Sequence, residues 1–378
     1  MKIGVIGQKG IPSRAGGVEI HVEELASRLA SSGNDVTVYC RKSYCDEIKD
    51  VHRGINLKYI PSLNTKHMDA ITYTLLASID AVRMDYDIVH YHALGPSLLS
   101  FIPRIFGKKV VCTVHGLDWK REKWGAIAKR ALKLGELCTA KFPHKTISVS
   151  ETIKGYYNET YNNDTVYIPN GVDDGEYVSA EEIVEKYGIQ KGEYILFLAR
   201  LVPEKGLHYL IEAYNQIKTD KKLVIAGGSS HTDDYVDKIK EMVKDNPNII
   251  MTGFINGKPL KALFSNAYLY VLPSEIEGLP ISLLEAMSYG QCCLVSNIEE
   301  NLDVIKNYGY SFESKNVDSL KQLLEQLLQN ENMIEDIRAN VKEYVKQEYN
   351  WNIVARKTEE VYQSLFNNED EMILNKEW

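Results

Sequence analysis

The feature that most constrains this chain is a rhythm that runs twice. In the first half, Lys2–Gly7, Asp35–Cys40, Asp87–His92, Lys109–His115 and Lys145–Ser150 are short, β-branched apolar runs bounded by turn residues. Between the first two, Gly17–Gly33 carries Val18, Val22, Leu25, Ala26 and Leu29 at helical spacing. Strands separated by helical crossovers of a dozen residues or more demand a parallel sheet covered on both faces. The rhythm restarts with strand-like Tyr194–Ala199, Lys222–Ala226, Ile249–Thr252, Ala267–Leu272 and Cys292–Val295. Helical stretches at Leu207–Ile217, Asp233–Asp245, Lys258–Ser265 and Pro280–Tyr289 separate them. The break falls at Tyr167–Asp174, where Ile-Pro-Asn-Gly-Val-Asp ends a strand and gathers turn residues. The expectation is an α/β fold of two doubly wound, Rossmann-like domains. They divide at 1–170 and 171–349, with 350–378 a helical segment returning to the first. Such sheets bind ligands beyond the carboxyl ends of their strands, so a shared ligand is expected in a cleft between the domains.

Composition narrows the class. With 44% hydrophobic and 25% charged residues the chain is ordinary globular protein, and at 378 residues it is long enough for two cores. No apolar run approaches the length that spans a bilayer, and Met1-Lys2 leads straight into a strand, so neither membrane helix nor signal peptide is expected. Six cysteines without a CxxC pair read as reduced cytosolic thiols. Charge is divided unevenly. Residues 1–170 hold 23 basic against 17 acidic side chains, and residues 171–378 hold 21 against 35. Residues 101–150 alone carry 11 basic and 3 acidic.

Four segments carry chemistry. The loop Gly7-Gln-Lys-Gly10-Ile-Pro-Ser-Arg-Ala-Gly16-Gly17-Val-Glu19 lets backbone N–H groups approach a phosphate at a helix N-terminus. Its spacing is not GxGxxG, and the second strand ends in Arg41 rather than an acidic residue, which disfavours a nicotinamide dinucleotide. Arg200 and Lys205, just past a strand, can converge on one pyrophosphate. Glu277 before Pro280, and Glu285 in the helix that follows, are spaced a little over two turns apart and can face the same cleft. His90 and His92 are expected to face opposite ways along their strand, too badly placed to share a metal ion. Asp85-Tyr-Asp87 precedes a strand and is read as structural. Trp119–Trp124 through Lys129, Arg130 and Lys133 mixes aromatics with dense positive charge, fitting a solvated basic face or contact with anionic headgroups. No nucleic-acid motif accompanies it.

Arg200-x4-Lys205 followed by Glu277-x7-Glu285 resembles the signature of the family-four retaining glycosyltransferases of GT-B fold. Gly16-Gly17-Val-Glu19, Thr113-Val-His115-Gly116, Ile168–Asp173 and the segment from Trp351 extend the likeness over nearly the whole chain. Asp87–Ala93 and His115–Trp119 further resemble a bacterial subgroup that includes rhamnosyltransferases. The resemblance implies that Arg200 and Lys205 neutralise the departing diphosphate, that Glu277 binds hydroxyls of the donor sugar, and that Glu285 binds the ribose. It implies that Ile255 lies beside the base, that amides of Gly16 and Gly17 and those around Leu279, Pro280 and Ile281 cradle phosphate, and that His115 reaches the sugar. It implies no metal and no cofactor; the donor is a substrate, with a UDP-sugar expected, and the acceptor a glycan or polyprenyl-linked glycan in bacterial surface polysaccharide synthesis. The enzyme would transfer a hexosyl or deoxyhexosyl group with retention. It would be cytoplasmic, with peripheral contact at the membrane's inner face through its basic first half, and without nucleic acid. A GT-B-fold nucleotide-sugar epimerase, or a catalytically silent nucleotide-sugar-binding protein, would use the same donor site.

Overall fold

The computed structural model describes residues 1–374 apart from 13–15, 46, 64–68, 122–123 and 230–232, with the side chains of 233 and 368–374 also left aside. Ser13, Arg14 and Ala15 of the glycine-rich loop, and Glu122 and Lys123 of the basic segment, therefore lie outside the described residues. The chain divides into two compact units, Met1–Gly171 with Trp351–Trp378, and Val172–Asn350.

The first unit is built on an eight-stranded sheet. Its strands are β1 (Lys2–Ile6), β2 (Asp35–Arg41), β3 (Val51–His52), β4 (Ile55–Ile60), β5 (Ile88–His92), β6 (Lys109–Val114), β7 (Lys145–Ser148) and β8 (Val166–Tyr167), in the order β3-β4-β2-β1-β5-β6-β7-β8. All pairings are parallel except β3 with β4, a hairpin turned by Arg53 and Gly54, both at positive φ. The sequence reading missed this hairpin, because Arg-Gly is a weak turn signal and the alternation in Ile55–Ile60 is short. One face of the sheet buries Ile3, Val5, Val36, Val38 and Ile88 against the Gly17–Ser31 helix and the Trp351–Leu374 helix. The other buries Tyr39, Tyr91 and Val110 against Tyr73, Ala77 and Ala81 of the Asp69–Arg83 helix.

The second unit is a six-stranded, all-parallel sheet. Its strands are β9 (Tyr194–Leu198), β10 (Lys222–Ala226), β11 (Ile249–Gly253), β12 (Leu269–Leu272), β13 (Cys293–Ser296) and β14 (Tyr310–Phe312), in the order β11-β10-β9-β12-β13-β14. Continuous apolar strands with helices on both faces are what a sheet buried on two sides requires. Its main core gathers Ile195, Phe197, Leu223 and Val271 with Leu207, Leu210 and Ile211 of the Leu207–Tyr214 helix and Leu320 and Leu324 of the Val317–Gln329 helix.

In both sheets the winding direction reverses once, between β1 and β5 in the first and between β9 and β12 in the second. Crossovers leave to either side of these points, so the loops at the carboxyl ends part there and open a crevice.

The last helix completes the first unit. Trp351 is 3% exposed, Tyr362 hydrogen-bonds His90 on β5 at 2.7 Å, and Arg28 on the Gly17–Ser31 helix donates to Asn352 at 3.2 Å. A Cβ on Gly171 would stand 2.5 Å from the Trp351 ring. Gly171→Val should therefore lower the thermal unfolding midpoint, at a cost of about 1–3 kcal/mol for overpacking; an unchanged midpoint by calorimetry would show that Trp351 does not close on this turn.

Candidate active site

At the switch point of the second unit, four loops are knitted together by backbone bonds. The stretch after β9 contains Arg200 and the single turn Pro203–Lys205. Gly227 after β10 has φ +151, and a Cβ there would lie 1.9 Å from the Ala199 carbonyl oxygen. Leu201 donates to Gly228 at 2.9 Å and Gly227 to Gly253 at 3.0 Å, which joins the ends of β9, β10 and β11. Glu275 after β12 donates to the Glu204 carbonyl at 2.9 Å. Gly206, at φ +66, passes so close to Pro273 that a Cβ would come within 2.0 Å of its carbonyl oxygen. Only glycine permits both approaches. The sequence reading passed over Gly227, Gly228 and Gly206; their signal was a glycine directly after a strand or turn in each case.

These contacts bring Lys205 against Glu277. Its ammonium hydrogen-bonds the Glu277 carboxylate, and the two side chains are 12% and 8% exposed. Arg200 is half-buried two residues beyond the end of β9. Pro280 caps the Ile281–Ser288 helix, whose Leu283 and Leu284 N–H groups return to the Pro280 carbonyl at 3.1 and 3.3 Å. The N–H groups that head such a helix have no intrahelical acceptor and face the positive end of its dipole. Glu285 sits in the second turn. Both glutamates bear on Tyr270 of β12, whose hydroxyl donates to the Leu198 carbonyl at 3.1 Å and meets the Ser282 hydroxyl at 3.0 Å. Burial pushes that hydroxyl's pKa well above its ordinary value, and the nearby Glu277 and Glu285 carboxylates add to the rise. Leu279, Pro280 and Ile281 are buried at the helix start, and Ile255 is half-buried after Gly253 and Phe254. Thus Arg200, Lys205, Glu277, Leu279, Pro280, Ile281 and Glu285 come from the two loops that flank the reversal, while Ile255 stands on the next loop out.

The first unit repeats the arrangement with a different chemistry. A Cβ on Gly7, at φ +137, would meet the His92 carbonyl oxygen at 2.2 Å, so β1 and β5 end back to back. Gly16 and Gly17 start the next helix, with the Glu19 carboxylate folded over Gly16 and accepting the Lys9 N–H at 3.2 Å. His115 follows β6, and its ring joins those of His92, at 5.3 Å between centroids, and His21, at 4.7 Å. His21 was not singled out from the sequence, although it lies on the helix that the glycines begin. Its Nδ1 meets the Asn170 amide oxygen at 2.8 Å, which fixes the proton on Nδ1. His92 Nδ1 and His115 Nε2 are 3.0 Å apart, and His92 Nε2 is buried with no partner among the described residues. A proton on that Nε2 would be an unpaired buried donor, so His92 donates from Nδ1 and His115 carries its own proton on Nδ1.

The expectation that His90 and His92 face apart is wrong. Successive strand residues alternate, so residues two apart share a face, and the two rings lie 4.2 Å apart. His90 is held by Tyr362 and by Thr113 at 2.8 Å. His21, His92 and His115 instead bring one ring nitrogen each within 4.8 Å of one another, a donor set that could hold a zinc-like ion. Burial lowers the pKa of all four histidines, to about 4 for His21 and about 3 for His90, and well below the usual value for His92 and His115, where neighbouring imidazoles add to the effect. All are neutral at pH 7.

Two other segments are settled by geometry. Asp85 pairs with Lys2 at 2.7 Å and Asp87 accepts the Lys2 backbone N–H at 2.7 Å, both at the amino end of the sheet. Trp119 and Lys133 of the basic segment turn inward to the buried Glu136. The indole donates to its carboxylate, the ammonium binds it at 2.8 Å, and the ammonium lies 4.0 Å from the Trp119 ring centroid. Trp119 and Trp124 are half-buried, so the aromatic part of that segment is only partly exposed. All six cysteines are free, and no helix among the described residues is long and apolar enough to cross a membrane.

Residues 15–176 match the family Glycosyltransferase Family 4, and residues 179–347 match Glycosyl transferases group 1. The chain belongs to the family-four glycosyltransferases. It is 28% identical to an uncharacterized glycosyltransferase of Methanocaldococcus jannaschii over 96% of this chain and 98% of that one. It is 31% identical to an Escherichia coli UDP-Gal:alpha-D-GlcNAc-diphosphoundecaprenol alpha-1,3-galactosyltransferase over 62% of this chain and 64% of that one. Among solved structures it is similar to a sucrose-phosphate synthase from Thermosynechococcus elongatus, with a TM-score of 0.85 at 19% identity over 97% and 99% of the two chains. The glycosyltransferase fold is GT-B, and the chain is a transferase.

The neutral histidines of this glycosyltransferase make its stability depend on pH. Each is uncharged in the fold and takes up a proton in the unfolded chain below about pH 6.5. Stability should therefore be complete above that value and fall as pH drops from 6.5 toward 4, by about 1 kcal/mol per pH unit for each of His21 and His90. Urea midpoints that stay constant between pH 7 and pH 5 would contradict the neutral cluster.

Proposed function

We propose that this glycosyltransferase moves a hexosyl or deoxyhexosyl group from a UDP-sugar to a polyprenyl-linked glycan during bacterial surface polysaccharide synthesis, with retention and without a metal ion. The observation that carries the reading is the pairing of Lys205 with Glu277 across the β9–β12 reversal, with Arg200 and a helix N-terminus on the same two loops. Cations and the amides that head a helix, gathered at one set of strand ends, suit a diphosphate. The Escherichia coli relative, whose name specifies UDP-Gal and a diphosphoundecaprenol-linked acceptor, supports the choice of donor and acceptor class.

In this reading Arg200 and Lys205 take up the negative charge that develops as the bond between the anomeric carbon and the diphosphate oxygen breaks. Preorganised charge of this kind stabilises the transition state more than the ground state. Glu285 accepts hydrogen bonds from the ribose hydroxyls, and Glu277, which also orients Lys205, accepts from the sugar. Amides at Leu279 and Ile281 serve the phosphates and Ile255 flanks the base; within the first unit, the amides of Gly16 and Gly17 suit a phosphate and the Nδ1–H of His115 suits a sugar hydroxyl. The acceptor hydroxyl forms the new bond on the face that the diphosphate leaves, and its proton passes to a diphosphate oxygen. Glu277 is occupied by Lys205, which leaves it poorly suited to attack the anomeric carbon. The enzyme works on the cytoplasmic side of the membrane.

Glu285→Ala should weaken UDP binding by at least tenfold, since each lost hydrogen bond to a charged acceptor is worth about 1.5–3 kcal/mol; unchanged affinity by calorimetry would remove Glu285 from the site. Turnover should persist in excess EDTA with the donor's anomeric configuration kept in the product, as read by proton NMR. Loss of turnover on chelation, restored by zinc, would instead make the His21, His92 and His115 trio a working metal site. An inverted product would refute retention.

A further inference from the structure

Three imidazoles of the first unit converge from three elements: His21 on the Gly17–Ser31 helix, His92 at the end of β5 and His115 just after β6. One ring nitrogen from each lies within 4.8 Å of the other two. The ring centroids stand 4.7 Å apart for His21 and His115, and 5.3 Å apart for each of the other pairs. Buried polar groups normally find partners in the fold. His90 shows the ordinary case, with one ring nitrogen on Tyr362 and the other on Thr113. The trio differs. His21 spends Nδ1 on Asn170 at 2.8 Å and keeps its lone pair on Nε2, while His92 Nε2 is buried without a partner among the described residues. Within the group one lone pair is spent, in the 3.0 Å bond between His92 and His115. A sugar-directed N–H on His115 accounts for one of these rings and not for the other two.

We propose that His21, His92 and His115 form a zinc site that is reversible and inhibitory. Zinc binds imidazole nitrogen at about 2.0–2.1 Å, which sets two ligands of a tetrahedral ion about 3.3 Å apart. His92 Nδ1 and His115 Nε2 are already 3.0 Å apart, and no pair in the set has to close by more than about 1.5 Å. Asn170 is the acceptor that a ligating histidine ordinarily has behind it, since it holds the His21 proton on Nδ1 and leaves Nε2 to ligate. Three imidazoles leave a fourth position for water, and a set of nitrogens selects zinc over magnesium or calcium, which take oxygen. Each neutral ring has one lone pair to give. Zinc needs all three, so it displaces the His92–His115 hydrogen bond, and the two states exclude each other. With zinc bound, the half-buried His115 is drawn toward His21 and His92 beside a dipositive ion, away from the setting in which its N–H suits a sugar. The inhibitory part rests on the proposed role of His115 toward the sugar; the binding part stands on the first unit alone.

Cobalt(II), which enters zinc sites and reports their ligands by visible absorption, tests the site on the full chain after EDTA treatment and removal of the chelator. One equivalent should give the bands of a tetrahedral, nitrogen-ligated ion, and zinc should abolish them. His21→Gln should remove both cobalt and zinc binding. Asn170→Ala should weaken zinc binding by about 10–100-fold, and Asn170→Asp, which keeps an acceptor behind His21, should restore it. That second pair decides the matter if His21→Gln does not fold. Saturating zinc should slow wild-type turnover by about tenfold or more, with EDTA reversing the effect. An ultraviolet thiolate-to-cobalt band would place the ion on cysteines and overturn the proposal, as would equal zinc affinity in the wild type and Asn170→Ala. Zinc held by the trio with turnover undiminished would overturn the inhibitory part. UDP affinity in EDTA reads the donor site separately, so failure of that site is told apart from failure of this one.

Discussion

A parallel sheet whose winding reverses once has one place where neighbouring carboxyl ends send their chains in opposite directions, and both candidate sites of this glycosyltransferase depend on that constraint. Between β9 and β12 the two diverging loops carry the cations, the carboxylates and the helix N-terminus. Between β1 and β5 they carry the glycine loop and the histidines. Glycines hold the loops in contact: Gly7 against His92, Gly206 against Pro273 and Gly227 against Ala199 each leave no room for a Cβ. The strands place the functional groups, and the glycines set how closely the loops that bear them can pack.

The two sites solve different electrostatic problems. Lys205 and Glu277 keep their charges in a nearly buried place by meeting each other, and such a pair is retained only with good geometry because both ions lose water. The histidines of the first unit avoid the cost by staying neutral. Asn170 fixes the tautomer of His21, and His92 fixes that of His115. A neutral imidazole with one defined N–H is a hydrogen-bond donor of fixed direction, which suits recognition of an uncharged sugar hydroxyl better than an imidazolium would.

Much of this was legible in the sequence. Five strands of each sheet announced themselves because strands buried on both faces are continuous apolar runs. The Arg200, Lys205, Glu277 and Glu285 set could be picked out because polar residues directly after such runs stand at strand ends. The strands β3, β4, β8 and β14, at or next to the sheet edges, were missed or blurred, being short or half-exposed. His21 escaped because one histidine on an amphipathic helix carries no signal until the fold brings β5 and β6 beside it. The misjudged orientation of His90 and His92 was an error in strand geometry, not a limit of the sequence.

The proposed nucleoside diphosphate site at the β9–β12 reversal is best tested by hydrogen exchange, measured by mass spectrometry with and without UDP. Bound UDP should slow exchange in the peptides that carry residues 200–206, 253–256 and 274–285, with the amino-end turns of the same sheet unchanged. Protection confined to other segments, or no protection at a UDP concentration that raises the unfolding temperature, would contradict it.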